Sequence, residues 1–380
     1  MSDSREKVLV VFVDALGPDA LARSGDALSA LPYRSSLEGV LGYSSGALPT
    51  VLTGAQPATH GRMCLFTARE PDVSGVLEPL RWLGLLPRIL HERAALRRVI
   101  ARVLARAAGL TGYVALHRVP PAAFRWLDLP EREDLFTAPT IGGASTFLSD
   151  ARARGIRVYA APWQLPEPAR WEHAHAALRR DPPELAFLYA AELDGALHTH
   201  GSRGGETETV LRRVGAHIER AREAMARGGG RLTTLVVGDH GMADVHAVVD
   251  PRDVVARLAP AQVFVDSTMI RVWGDDAVLA RARRALESAA FPGRFLDLAA
   301  LEARRAPTAG APYGRGIFVL DEGVLFAPSF LGGRVNGMHG YDLGTPSSRA
   351  AFASDAPIPA GTTSIADVAG LVRRRLGILT

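Results

Sequence analysis

Cysteine is almost absent from this chain. Cys64 is the only one in 380 residues, so no intrachain disulfide can form. Long apolar runs are missing as well. The first, Val8 to Val13, is too short for the hydrophobic stretch of a signal peptide or for a membrane span, and the expectation is a cytoplasmic protein. Neither sign of charge dominates: the net charge is +4 with a pI near 9.5, and most of the excess is arginine in one stretch, so no specific nucleic-acid binding is expected. Internal repeats, low-complexity tracts and the weakly hydrophobic, highly charged bias of disordered chains are also lacking. What is present is an ordinary globular composition, 47% hydrophobic and 22% charged, with enough length for one large α/β domain carrying an insertion or for two smaller domains.

Lys7 to Val13 is a β-branched, nearly all-apolar run that ends in Asp14, the pattern of a strand buried on both faces. Similar runs recur at Ile156 to Ala160, Leu185 to Ala190 and Leu232 to Val237. Helical patterns such as Glu206 to Arg227 lie between them, and Asp250 and Ser364 are plausible caps of shorter helices. This alternation predicts a doubly wound, largely parallel α/β sheet sandwiched by helices, with ligands bound beyond the carboxyl ends of the strands. Asp14, Asp194 and Asp239 all fall at or just after such ends.

The alternation breaks between Leu65 and Pro139, where helical segments are punctuated by proline. The reading is a single domain over residues 1–380, with 65–139 as a helical insertion or cap. Within it, Arg88 to Ala108 places Leu96, Val99, Ile100, Val103 and Leu104 on one helical face and Arg93, Arg97, Arg98, Arg102 and Arg106 largely on the other. A cap helix with a solvated arginine face is the plain reading. Attraction of anionic substrates, or peripheral contact with a membrane surface through residues 88–108, are the alternatives.

Asp194 and His198 are four residues apart, so on a helix they project to the same side and can bind one cation together. Asp239-His240-Gly241 places two metal-competent side chains on a strand-end turn, where a cap beside a surface histidine is the bland alternative. His339 lies in the Gly-flanked loop Asn336-Gly-Met-His339-Gly-Tyr-Asp342 and Asp14 precedes Gly17-Pro18-Asp19; alone, the first reads as a hydrogen-bonded loop histidine and the second as a helix cap. Together, three Asp and three His at strand ends and Gly-rich turns amount to two sets of ligands suited to zinc, with manganese as the alternative. A paired site holding cations on the order of 4 Å apart stabilises both the attacking and the leaving oxygen of a phosphoryl displacement.

The segment from Gly42 to Gly61 contains Ser44, Ser45, Thr53-Gly54 and His60-Gly61. It resembles the nucleophile segment of the alkaline phosphatase superfamily, in which a Ser or Thr begins a helix nine residues before a Thr-Gly pair. Counting back from Thr53 gives Ser44, with Ser45 as the nearest rival. The run Thr-Gly-x-x-Pro-x-x-His-Gly is similar in particular to the type I phosphodiesterase and nucleotide pyrophosphatase branch. A helix N-terminus suits a phosphate because its amides are free to donate, and metal coordination activates the hydroxyl.

The resemblance implies that one metal is held by Asp194, His198 and His339, and the other by Asp14, Asp239, His240 and the Ser44 oxygen. It implies a phosphoric ester hydrolase working by double displacement: Ser44 attacks phosphorus in line and the phosphoserine is then hydrolysed. The substrate would be a small phosphate ester, whether a nucleotide, a sugar phosphate or a lipid-linked phosphate, with diester, pyrophosphate and monoester all open. One departure stands out: the pyrophosphatases that resemble this chain carry a phosphate-binding Asn five residues after the His of His-Gly, and Leu65 occupies that place. Arg62 and Arg69 are the nearby candidates for its role. His60 and His200 receive no role beyond supporting ones. Two other readings stand beside hydrolysis: a phosphomutase of the same superfamily, for which 65–139 is short, and a non-catalytic metal-retaining protein docked at a membrane surface.

Overall fold

The computed structural model describes residues 6–70, 73, 75–87, 89, 92–227 and 229–379. Ten strands carry the architecture: β1 (Lys7–Val13), β2 (Tyr33–Glu38), β3 (Val158–Ala160), β4 (Leu185–Ala190), β5 (Leu232–Val237), β6 (Gln262–Val265), β7 (Met269–Trp273), β8 (Gly293–Leu296), β9 (Gly316–Leu320) and β10 (Arg349–Ser354). Six of them form one sheet in the order β2-β10-β5-β1-β4-β3. β1 runs parallel to β4 and β5, and β3 parallel to β4, whereas β10 runs antiparallel to both β5 and β2.

Every residue of β1 is buried, and alternate residues enter opposite layers. Leu9, Val11 and Val13 pack with Trp171 and Ile218, from helices Glu167–Arg180 and Gly205–Ala226. Val8, Val10 and Phe12 pack with Val51, Phe147 and Leu371, from helix α1 (Ser44–Thr53) and helices Phe147–Ala153 and Asp367–Arg375. A strand covered on both faces has no solvent side, so it reads as a continuous apolar run rather than an alternating one. The expected α/β sandwich is the fold observed, and β1, β4 and β5 match the apolar runs from end to end.

A second sheet, in the order β6-β7-β9-β8 and antiparallel throughout, went unread in the sequence. Its short apolar runs look the same as those of parallel strands, and only the pairing distinguishes them. One face packs with Leu41, Tyr43, Met63, Met338 and Tyr341, which belong to loops around the carboxyl end of the large sheet. The other face offers Phe264 and Trp273 to the insertion, where they meet Phe66, Leu80, Phe124 and Leu127. Fully buried Arg271 pins this junction, its Nε donating to Asp266 at 2.6 Å and its Nη1 to the Phe66 carbonyl at 2.8 Å. Such a pair is tolerated in the interior because its donors are met by acceptors.

Two expectations for the insertion need correction. Its helix, α2, runs from Ala94 to Ala107, and Arg88 lies outside the described residues. The inner stripe is Arg97, Ile100, Ala101 and Leu104 rather than the five apolar residues expected, and Val99 and Val103 face solvent. Arg97 can go inside because its Nη1 donates to the carbonyls of Leu116, His117 and Val119 at 3.2, 2.9 and 2.8 Å, which offsets the loss of hydration. Elsewhere the proline-punctuated stretches form 3₁₀ turns, Glu78–Leu85 and Pro121–Arg125, instead of α-helices. Among the described residues no helix is long and apolar enough to cross a membrane.

Candidate active site and metal centre

The carboxyl ends of the parallel strands converge on one rim. Asp14 follows β1 directly, and Asp239 and His240 follow β5 after a single glycine, Gly238. The turn after β4 opens helix α3 (Glu192–His200), which carries Asp194 and His198 one turn apart. His339 is delivered from the far end of the chain by a two-residue strand, Gly337–Met338, that pairs with Ala243–Asp244 just beyond His240. That pairing stacks the His240 and His339 rings with centroids 3.6 Å apart.

The three Asp and three His of the expected ligand sets come together. His198 Nε2 and His339 Nε2 lie 3.3 and 3.7 Å from Asp194 Oδ1, and His240 Nε2 lies 3.3 Å from Asp239 Oδ2 and 3.6 Å from Asp14 Oδ1. Two groups of ligand atoms have the spacing of a metal site: Asp194, His198 and His339, and Asp14, Asp194 and His240. Asp194 therefore reaches both groups, an overlap that the sequence did not indicate.

Ser44 opens α1, with Tyr43 as its N-cap and no side-chain capping bond, so capping does not occupy its hydroxyl. Ser44 Oγ instead lies 3.2 Å from Asp14 Oδ1 and 3.0 Å from His240 Nε2. Ser45, the rival, donates its hydroxyl to the Met63 carbonyl at 3.2 Å. Asp14 does not cap a helix either: the next one, Pro18–Arg23, has Gly17 at its N-cap with no side-chain bond.

The donor set suits cations. His198 Nδ1 and His240 Nδ1 lie 2.8 Å from the carbonyls of Gly337 and Gly241, which places a proton on each Nδ1 and turns Nε2 toward carboxylates. A lone pair facing a carboxylate at such distances needs a proton or a metal between them. Asp239 Oδ1 accepts from the amides of Ala15 and His240, while its Oδ2 is buried without a hydrogen-bond partner, as are Asp194 Oδ1 and His339 Nδ1. Among the described residues no Lys or Arg forms an ion pair with these three carboxylates. Burial, reinforced by the Asp239 and Asp194 charges, pushes the Asp14 carboxyl well above the usual range. Burial also pushes His339 well below the ordinary histidine value, with His240 and His198 adding to the effect, so it is a neutral donor. At His198 burial acts downward, but the Asp194 carboxylate outweighs it and the net shift is upward.

The other sequence candidates fall around this centre. The Arg62 carbonyl and Met63 lie against Gly46 in the first turn of α1, and Arg62 Nε is buried without a partner. Arg69 is committed to Glu78 at 2.7 Å inside the insertion. Leu65 turns into the insertion's apolar cluster. His60 is structural: its Nε2 bonds Thr50 Oγ1 at 2.9 Å, its Nδ1 accepts from the Arg62 amide, and burial together with Arg62 lowers its pKa to about 4. His200 is exposed at the end of α3.

Three residues were missed. Tyr189, inside β4, donates its hydroxyl to Asp14 Oδ2 at 3.0 Å. Tyr43 sets its ring edge-on to His339 and bonds Thr268 Oγ1 at 3.0 Å, and Thr268 in turn donates to the Gly340 carbonyl at 2.6 Å. A tyrosine in an apolar strand and a threonine in a hairpin turn carry no sequence signal of their own; for Tyr43, adjacency to Ser44 was the available clue.

Fold and rim together define an alkaline-phosphatase-like hydrolase of phosphoric esters. The sequence profile of the type I phosphodiesterase / nucleotide pyrophosphatase family matches residues 116–312, more than half of the chain, and the protein belongs to that family. No curated protein matches it by sequence. Among solved structures, murine ectonucleotide pyrophosphatase / phosphodiesterase 5 is similar in fold, with a TM-score of 0.67 at 16% identity over 98% of this chain and 95% of that one. The human counterpart gives 0.67 at 14% identity, covering 98% and 96%. An inactive threonine-to-alanine variant of the murine protein in complex with AMP gives 0.66 at 16%, covering 99% and 96%.

Proposed function

We propose that this protein cleaves a phosphodiester or pyrophosphate bond of a nucleotide-like ester in two displacements, with Ser44 as the covalent acceptor and two divalent cations as cofactors. The ligand sets are Asp194, His198 and His339 for one cation, and Asp14, Asp239, His240 and Ser44 for the other, with zinc the best match to this mixture of imidazole and carboxylate and manganese next. The observation that carries the reading is the Ser44 hydroxyl, at a helix N-terminus and within 3.2 Å of Asp14 and 3.0 Å of His240 while its neighbour Ser45 is occupied elsewhere. When bound, the cations would neutralise the three carboxylates and favour the ionised form of the serine hydroxyl.

The chain's own groups account for the rest. Ser44 Oγ forms a bond to phosphorus as the bond to the leaving oxygen breaks, the serine proton leaving with that oxygen or to water. Water then cleaves the seryl phosphodiester, which still carries the other ester group, releasing a monoester and restoring the hydroxyl. Free amides in the first turn of α1 face the phosphoryl oxygens. Arg62, beside that turn with an unpartnered Nε, is the best replacement for the amide side chain that Leu65 does not supply. The AMP complex of a structural relative supports a nucleotide-like ester as the substrate class.

Hydrolysis of bis-p-nitrophenyl phosphate and p-nitrophenyl phosphate with added zinc or manganese tests the reading. Ser44→Ala should lower turnover on the order of a thousandfold or more while elemental analysis still finds metal, and Ser45→Ala should stay within about threefold of wild type. Acid-quenched wild-type protein should carry a p-nitrophenyl-phosphoryl group from the diester, or a phosphoryl group from the monoester, on the peptide containing Ser44. Loss of activity in Ser45→Ala but not in Ser44→Ala would overturn the assignment.

A further inference from the structure

Of the eleven large apolar side chains that stand exposed among the described residues, eight fall in the 65–139 insertion, which is about a fifth of the chain. The most exposed are Leu85 at 78%, Ile89 at 71%, Val103 at 59% and Trp82 at 57%. They are not failed core positions. The 3₁₀ segment Glu78–Leu85 and helix α2 both bury an inner face in one apolar cluster, through Leu80 and Leu83 from the first and Ile100, Ala101 and Leu104 from the second. Trp82, Leu85, Val99 and Val103 belong to the outer faces of the same two elements, where nothing covers them.

The charge beside this apolar surface is mainly of one sign, with exposed Glu92 the acidic exception. Arg98, Arg102 and Arg106 on α2 and Arg93 at its N-cap are exposed, and none forms an ion pair among the described residues. Arg98, Arg102 and Arg106 recur every four residues, a basic ridge next to the apolar ridge of Val99 and Val103. Arg81 lies over the Trp82 ring at 4.7 Å, and Glu78 is taken up by Arg69 and Arg81. A second copy of this chain would set arginine against arginine, which disfavours a symmetric self-contact. Protruding apolar side chains flanked by guanidinium groups fit a layered partner with phosphate groups outside and hydrocarbon beneath.

We propose that the outer face of the insertion docks on an anionic lipid bilayer, with Trp82, Leu85, Ile89, Val99 and Val103 entering the headgroup boundary and Arg98, Arg102 and Arg106 meeting lipid phosphates. Docking of this kind holds the enzyme at a surface without a spanning segment.

Co-sedimentation of the full chain with vesicles of phosphatidylcholine, alone or mixed with phosphatidylglycerol, at about 0.1 M salt provides the test. Wild type should partition onto the anionic vesicles and remain free of the neutral ones. The combined Arg98→Gln, Arg102→Gln, Arg106→Gln variant should lose about a hundredfold in partition, roughly fivefold per charge. The combined Trp82→Ser, Ile89→Ser variant should retain only binding that raised salt removes. Hydrolysis of bis-p-nitrophenyl phosphate in solution should be the same in all three proteins, which separates docking from the reaction. Equal partition onto both vesicle types, or unchanged partition of the arginine variant, would overturn the proposal. So would self-association in the absence of lipid that the apolar variant abolishes, because it would identify a second copy as the occupant.

Discussion

The two halves of the candidate metal centre are built differently. Asp14, Asp239 and His240 sit on the ends of central strands with almost no exposed side-chain surface, Asp239 at 0%, whereas Asp194 in the first turn of α3 and His198 in its last turn are exposed at 24% and 23%, and only His339 in that set is buried, at 7%. The inner half is fixed by backbone amides and by Tyr189, and the outer half opens to solvent at Asp194 and His198. Only the inner half pays in full for an uncompensated charge, because water screens the outer one. In the proposed reaction the inner half would hold the attacking serine in place, and the outer half is where a leaving group and a water would pass.

Asp239→Asn and Asp194→Asn test that contrast with the largest effects. Each should remove metal and lower ester turnover on the order of a thousandfold, about 4 kcal/mol of barrier. Stability should separate them. In chelator, Asp239→Asn should raise the Tm by a few degrees, since it removes one of the buried like charges, whereas Asp194→Asn should leave it nearly unchanged. Thermal scans with chelator and with zinc decide it, and equal stabilisation by both variants would break the distinction between the halves.

An intermediate effect is expected where the four-stranded sheet reaches the centre. Thr268 joins Tyr43, which precedes Ser44, to Gly340, which follows His339, so a single hydroxyl sets the spacing between Ser44 and the His339 loop. The close fit leaves no slack: a Cβ on Gly340, whose φ is +84°, would meet the Tyr43 ring at 2.4 Å. Thr268→Val should lower kcat about tenfold with KM unchanged, and Thr268→Ser should recover most of the loss. A change in KM alone, or an equal fall in Tm for both variants, would reduce Thr268 to a packing residue.

These cases also mark what the sequence discloses. Strands β1, β4 and β5 are legible because burial on both faces leaves an unbroken apolar run, and the ligands that follow them inherit that visibility. His339 is legible only as a member of the Asp and His constellation and through its resemblance to a family motif, since the two-residue strand before it has no periodicity to detect. β6 to β9 are hidden because their short apolar runs look the same as those of parallel strands and carry no mark of their pairing. Arg97 defeats the amphipathic reading because three carbonyls of a loop, invisible to any helical pattern, make its burial tolerable. Tyr189 and Thr268 act through single hydroxyls whose partners lie 175 and 72 residues away.

The smallest effect concerns Ala15, between Asp14 and the rest of its loop, which is buried with a φ of 62°. An alanine in the left-handed region costs roughly 1 kcal/mol, and its amide donates to Asp239 Oδ1 at 2.9 Å, so the strained residue ties two ligand-bearing strands together. Ala15→Gly relieves that strain but forfeits a buried methyl worth about 0.8 kcal/mol and adds freedom to the unfolded chain worth about 0.4 kcal/mol or more. These contributions nearly cancel, so the Tm should move by less than about 2 °C. Turnover should respond more than stability does. A glycine admits other orientations of the peptide beside Asp14, and kcat should fall about threefold at unchanged metal content if backbone rigidity helps to hold the inner half. Unchanged kcat would show that the hydrogen bonds from Ala15, His240 and Tyr189 suffice, and that the difference between the halves is one of burial alone.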